Sequence, residues 1–228
     1  MNDIEILYED NHIIVAVKPP GILSQEDKTG DPDMLTLLKK YLVDKYNKPG
    51  DAYLGLVHRL DRGVGGVMVF AKTSKAASRL SETIRKNEME KRYLAVLEGV
   101  LQSPKGILRS YLVKDEKTNK TIWTNEDAEN AKEAILEYEQ CRTVSNRSLV
   151  KIKLHTGRPH QIRVQFAQIG CPVCGDVKYG KRTKGLSRLA LWSYSLAFVH
   201  PVKKEKMVFE KNPPREWPWT EFSILTDK

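Results

Sequence analysis

The chain has 228 residues, with 38 Lys and Arg against 29 Asp and Glu, a formal charge of +9 and a pI near 9.3. Apolar residues at 40% and charged residues at 29% exclude a disordered chain, and the length suffices for a sizeable core without disulfide or metal staples. No basic segment followed by an apolar stretch opens the chain and no run approaches bilayer length, so neither a signal peptide nor a membrane partner is expected; three cysteines fit a reducing compartment, with the cytoplasm as expected location.

Strand signals dominate in chain order. Residues 13–17 form a short apolar run before Lys18-Pro19-Pro20-Gly21, and residues 67–71, 93–97 and 108–113 are similar. In residues 149–154, Val150, Ile152 and Leu154 alternate with Lys151 and Lys153, the pattern of a half-buried strand. Residues 189–199 alternate as well and, with residues 207–209 after a polar turn, predict a hairpin. Helical spacing is scarcer. It predicts helices over 34–46, over 74–89 behind a Thr73-Ser74 cap, and over 159–169 with Pro159 at the first position. The sum is an α+β chain without regular βαβ alternation, read as one domain over 1–228.

Four clusters could carry chemistry. His58-Arg59-Leu60-Asp61-Arg62 precedes Gly63-Val64-Gly65-Gly66; the surrounding cations favour an ionised Asp61, a carboxylate suited to attack an electrophilic carbon, although a solvated loop capped by Asp61 has the same composition. Residues 154–163 end a strand, turn at Gly157 and open a helix with Arg158, His160 and Arg163, where free N–H groups and basic side chains suit phosphate, as would any basic strand-to-helix corner. Tyr93 follows Lys91-Arg92 in a strand; it is a stacking ring for a nucleobase or core filler. Lys178-Tyr179-Gly180-Lys181-Arg182-Thr183-Lys184-Gly185-Leu186-Ser187-Arg188 is a cationic loop for phosphates or solvent.

Other patterns fail. Val15-Ala16-Val17-Lys18 with His58-Arg59-Leu60-Asp61 evokes protein kinases, but no Gly-rich phosphate loop precedes Lys18 and no Asp-Phe-Gly follows. Cys171 and Cys174 have redox or half-zinc spacing, but Cys141 and the scattered histidines supply no second pair, so both read as incidental.

Taken in order, the clusters resemble the RluA-type family of RNA pseudouridine synthases. The opening from Ile6 to Gly21 is similar to that family's first strand pair. His58-Arg59-Leu60-Asp61, then Gly65-Gly66 and Phe70-Ala71-Lys72-Thr73, resembles its catalytic motif, residues 91–99 its second motif, and Gly157-Arg158-Pro159-His160-Gln161-Ile162-Arg163 its third. Gly175-Asp176, Tyr179-Gly180 and Phe198-Val199-His200-Pro201 follow in the family's order. Two places depart from it: Val64-Gly65-Gly66 stands where the family usually has Thr-Ser-Gly, and Trp192 where it commonly has His.

The resemblance implies a mixed, largely antiparallel sheet flanked by helices and loops, with a central cleft. It implies isomerisation of uridine to pseudouridine in structured rRNA or tRNA, by a monomer, with no cofactor and no metal. Asp61 would be the nucleophile at ribose C1′, Arg163 its cationic partner, and Tyr93 the ring on the target base. Arg59 would fill the gap left by the extruded uridine, and His58, Arg62, Lys72, Arg158 and His160 would contact the substrate. The accessory RNA-binding domain that many relatives carry is not expected before Ile4. Two rivals are a binding factor of the same fold that has lost catalysis, and a metal-dependent hydrolase using His58, Asp61, His155 and His160.

Overall fold

The computed structural model describes residues 4–183, 185–186 and 188–222. In chain order the strands are β1 (Ile6–Glu9), β2 (Ile13–Lys18), β3 (Gly55–Leu56), β4 (Gly65–Ala71), β5 (Glu90–Glu98), β6 (Lys105–Asp115), β7 (Lys120–Thr124), β8 (Lys132–Val144), β9 (Arg147–Leu154), β10 (Leu191–Val199) and β11 (Lys206–Glu210). The helices are α1 (Met34–Tyr46), α2 (Ser74–Arg85) and α3 (Gln161–Gln168), with a final 3-10 turn at Trp219–Phe222. The α+β class expected from the sequence is the observed one. The chain falls into two compact units, one of Met1–Glu90 with Ser193–Lys211 and one of Lys91–Trp192 with Asn212–Lys228.

The first unit orders its strands β1-β2-β4-β10, with β3 on β4 and β11 on β10. The β1–β2, β2–β4 and β10–β11 pairs are antiparallel. Strand β2 is buried along its whole length and so is β4, which explains why both read as unbroken apolar runs. Ile13, Val15, Val67, Val69, Leu196 and Phe198 pack with Ala76 and Leu80 of α2 into one core. Helix α1 spans its expected residues, because Asp33 accepts the Thr36 N–H at 3.1 Å and Asn47 ends it in a left-handed conformation. Helix α2 begins as expected, with Thr73 accepting the Ala76 N–H, but stops at Arg85 rather than reaching Met89. Asn87 (φ 57°) turns the chain there and delivers the buried Met89 to the core.

Gly66 answers a close approach. Its φ is 120°, and a Cβ there would overlap the backbone carbonyl of Ser193 on β10. The glycine of Val64-Gly65-Gly66 therefore persists for packing, whatever its neighbours. Gly66→Ala is expected to cost about 3 kcal/mol or more, read as a lowered urea midpoint at unchanged m.

Glu9, 7% exposed at its side chain, knots this unit together. It accepts from Tyr41 (3.0 Å), Lys45 (2.7 Å), Tyr46 (2.7 Å) and Lys72 (2.6 Å), joining β1, α1 and the end of β4. Burial pushes the Glu9 carboxyl up, but these four donors outweigh it and hold it at about 2. The folded value lies below the unfolded one, so the stabilisation is complete above about pH 4.5 and fades as pH falls toward 2. Glu9→Gln should lose roughly 2–3 kcal/mol at neutral pH and flatten the acid limb of a stability–pH curve; an acid limb identical to the wild type would refute the assignment.

The second unit orders its strands β5-β9-β8-β6-β7, and the β5–β9, β9–β8, β8–β6 and β6–β7 pairs are antiparallel. The sequence patterning missed β8, although it is thirteen residues long. Its Ala134 and Leu136 are fully buried, but three glutamates among its first eight residues and only one β-branched residue before Thr143 disguise it. Helix α3 starts at Gln161, not at Pro159, because His160 adopts a left-handed φ of 54° and so lies outside the helix.

Candidate functional site

In the first unit Asp61 sits, half-buried, on the loop between β3 and β4, and the chain on both sides of it is immobilised. Before it, the Ser24 hydroxyl donates to the Leu60 carbonyl (2.8 Å) and accepts the Leu60 N–H (3.0 Å). After it, the Asp61 carbonyl accepts the Val64 N–H (3.0 Å), closing a turn. Gly21 donates its N–H to the Arg62 carbonyl (2.8 Å), and Arg62 Nε returns a bond to the Gly21 carbonyl (3.2 Å). Lys18 Nζ reaches the carbonyls of Arg62 and Val64. Residues 18–24 thus form a cradle that locks a single carboxylate-bearing turn, the preorganisation a nucleophile requires.

The other expected residues of this unit divide. Arg59 is exposed. The Arg62 guanidinium is exposed as well and pairs with Asp31 at 2.7 Å. His58 Nε2 accepts the Val69 N–H at 3.1 Å, which ties the loop to β4. Lys72, 11% exposed, is held by Glu9 with its ammonium 4.9 Å from the Tyr46 ring centroid, within the knot described above.

In the second unit Tyr93 lies buried on β5 opposite Ile152 of β9. Arg158, His160 and Arg163 gather where β9 leads into α3. Two buried glutamines dock that helix. Gln161 Oε1 accepts from Thr156 (2.8 Å) and from the Arg158 N–H (3.1 Å), while its Nε2 donates to the Ile135 carbonyl (3.1 Å). Gln165 Nε2 bonds the carbonyls of Leu108 and Ala134 and the Ser110 hydroxyl at 3.0–3.1 Å. One turn apart, the two amides fix the rotation of α3 and hence the direction of Arg163. Arg158 donates from Nε to the Glu133 carbonyl (2.8 Å), so its stem is committed to β8.

Two residues of this constellation carried no role in the sequence reading. Asp176, 0% exposed at its side chain, takes Arg163 Nε and Nη2 in a bidentate pair at 2.8 Å each, and also accepts the N–H groups of Lys178 (3.0 Å) and Tyr179 (3.1 Å). Burial pushes its carboxyl up, but the Arg163 bonds and charge prevail and hold it below the usual carboxylate range. The Tyr179 ring lies 5.1 Å from the Arg163 guanidinium, and its hydroxyl accepts the Thr121 N–H (2.7 Å) and bonds His160 Nδ1 (2.7 Å). The available signal was the position of Gly175-Asp176 and Tyr179-Gly180 after the third motif. In the cationic loop 178–188, Lys184 and Ser187 lie outside the described residues, and Lys178 Nζ bonds the Asn119 carbonyl at 2.8 Å. Among the described residues no group of three or more His, Cys, Asp and Glu is placed to hold a metal ion, and no helix is long and apolar enough to cross a membrane.

The first unit thus holds a carboxylate turn fixed by backbone bonds, and the second an arginine braced by a buried carboxylate. The solved structure of human RNA pseudouridylate synthase domain containing 4 matches this fold with a TM-score of 0.77 over 92% of this chain and 89% of that one, at 23% identity. The sequence profile described as RNA pseudouridylate synthase matches residues 12–168. An uncharacterized RNA pseudouridine synthase of Aquifex aeolicus is 34% identical over 223 residues, covering 92% of this chain and 70% of the relative. The tRNA pseudouridine synthase C of Haemophilus influenzae is 30% identical over 233 residues, covering 94% and 95%. The chain belongs to the RNA pseudouridine synthase family, whose members isomerise uridine to pseudouridine in RNA, as its motifs led one to expect.

Proposed function

We propose that this chain converts particular uridines of structured ribosomal or transfer RNA to pseudouridine, acting as a cytoplasmic monomer without cofactor or metal. The Asp61 carboxylate attacks ribose C1′ and the N1–C1′ bond breaks, with the electron pair leaving on the uracil. The base turns, C5 bonds to C1′ as the Asp61–C1′ bond breaks and frees the carboxylate, and the C5 proton leaves for N1 by way of solvent. No atoms are gained or lost, so no co-reactant is needed. Arg163 serves as the cation for this carboxylate, and Tyr93 as the ring that meets the base. Arg59, exposed beside Asp61, is the residue for the vacated stack, and Arg62, His58, Lys72, Arg158 and His160 are assigned to contact the substrate. The observation that carries the reading is the Asp61 turn, held by backbone bonds before and after the carboxylate.

The test is tritium release from C5-labelled uridine in cellular ribosomal and transfer RNA, in chelator, followed by mapping of pseudouridine in RNA from cells with and without the gene. Release from one RNA class and loss of defined sites on deletion are expected. RNA binding without release from any RNA would overturn the reading in favour of a binding factor.

A further inference from the structure

Lys18 ends β2 with a side chain that is 0% exposed. Its ammonium donates to the carbonyls of Pro19 (3.1 Å), Arg62 (3.2 Å) and Val64 (2.7 Å), so three donors meet three acceptors. Two of those acceptors belong to the turn that follows Asp61. A buried cation facing neutral carbonyls is costly where an apolar side chain could fill the space, so the charge itself calls for a reason. The charged groups that face it are Asp61, which holds the proton on, and Arg62, which helps to expel it.

We propose that Lys18 is a positioning residue for the nucleophile: while protonated it clamps residues 62–64 and turns a positive charge toward Asp61, and on deprotonation it gives up both, switching the chemical step off toward alkaline pH. The inference rests on the reading of Asp61 as nucleophile. A neutral amine has two N–H donors for three carbonyls and no charge for the carboxylate, so both functions fail together. Burial pulls the Lys18 ammonium down to about 7, the Asp61 charge opposing and the Arg62 charge adding, which places the change within the range of ordinary assays.

The experiment is single-turnover tritium release between about pH 5.5 and pH 9.5. Wild type should hold a plateau in acid and fall about tenfold with a midpoint near neutrality. Lys18→Arg stays charged and should lose this alkaline limb, whereas Lys18→Met should be pH-independent, about tenfold or more below the wild-type plateau, with RNA affinity within about threefold. An unchanged limb in Lys18→Arg, or a wild-type rate in Lys18→Met, overturns the proposal. A second readout needs no variant: NMR of lysine-labelled wild type should show the Lys18 Nζ signal and the amides of residues 61–64 titrating with one midpoint. Independent titration of the turn overturns the clamp. Absence of tritium release by wild type would instead defeat the proposed function, and leaves the NMR arm to decide the clamp.

Discussion

Asp61→Asn is expected to abolish tritium release, lowering the single-turnover rate by about four orders of magnitude or more, while RNA affinity stays within about threefold. Asparagine keeps the shape of the side chain but cannot form the ester-like bond to C1′ that the proposed route requires. The variant should fold, because the turn is held through the Leu60, Arg62 and Val64 backbone rather than through the Asp61 carboxylate alone. Its melting temperature should therefore lie within a few degrees of wild type, which separates lost chemistry from lost structure. Residual release at a tenth of the wild-type rate would show that the carboxylate is not the nucleophile.

Asp176→Ala has the second-largest expected effect, on stability and activity together. It strips the buried carboxylate from a guanidinium that is itself only 11% exposed and leaves two backbone N–H groups without their acceptor. Breaking a buried pair from one side costs about 3–5 kcal/mol, a fall of about 10 °C in melting temperature for a chain of this size. Asp176→Asn retains one acceptor and should fold at lower cost, which makes it the variant for kinetics. Its rate should fall about a hundredfold, because Arg163 loses the partner that orients its Nε–Nη2 edge. Since Asp176 is assigned to act through Arg163, the double variant Asp176→Asn, Arg163→Met should be no slower than Arg163→Met. Additive losses would give Asp176 a separate function.

Local signals made much of this legible. The start of α1 and of α2 follows from Asp33 and Thr73 reaching N–H groups three residues on, a bond within one turn of chain. Strands β2 and β4 were visible as apolar runs because both their faces are buried. Strand β8 was not, because one face carries glutamates that meet cations and solvent across the sheet, such as Glu133 on Arg109 and Glu139 on Lys105. The start of α3 shifted by two residues for want of any sequence rule that sets His160 in a left-handed conformation. The bond from Lys72 to Glu9, 63 residues away, has no local signal either.

The sequence by itself determined the class of element along most of the chain, the family, and the order of Asp61, Tyr93 and Arg163, because those rest on periodicity and on motifs that are contiguous. The tertiary structure alone decided what holds the site. Lys18 works on carbonyls 44 and 46 residues away, Ser24 on the backbone of Leu60, Asp176 on Arg163, and Gly66 exists for the backbone of Ser193. Apart from the Asp176–Arg163 pair, which joins two side chains, the physical reason is common to them. Main-chain carbonyls and N–H groups are the same at every residue, so a side chain bonded to a distant one leaves no mark in the sequence around its partner.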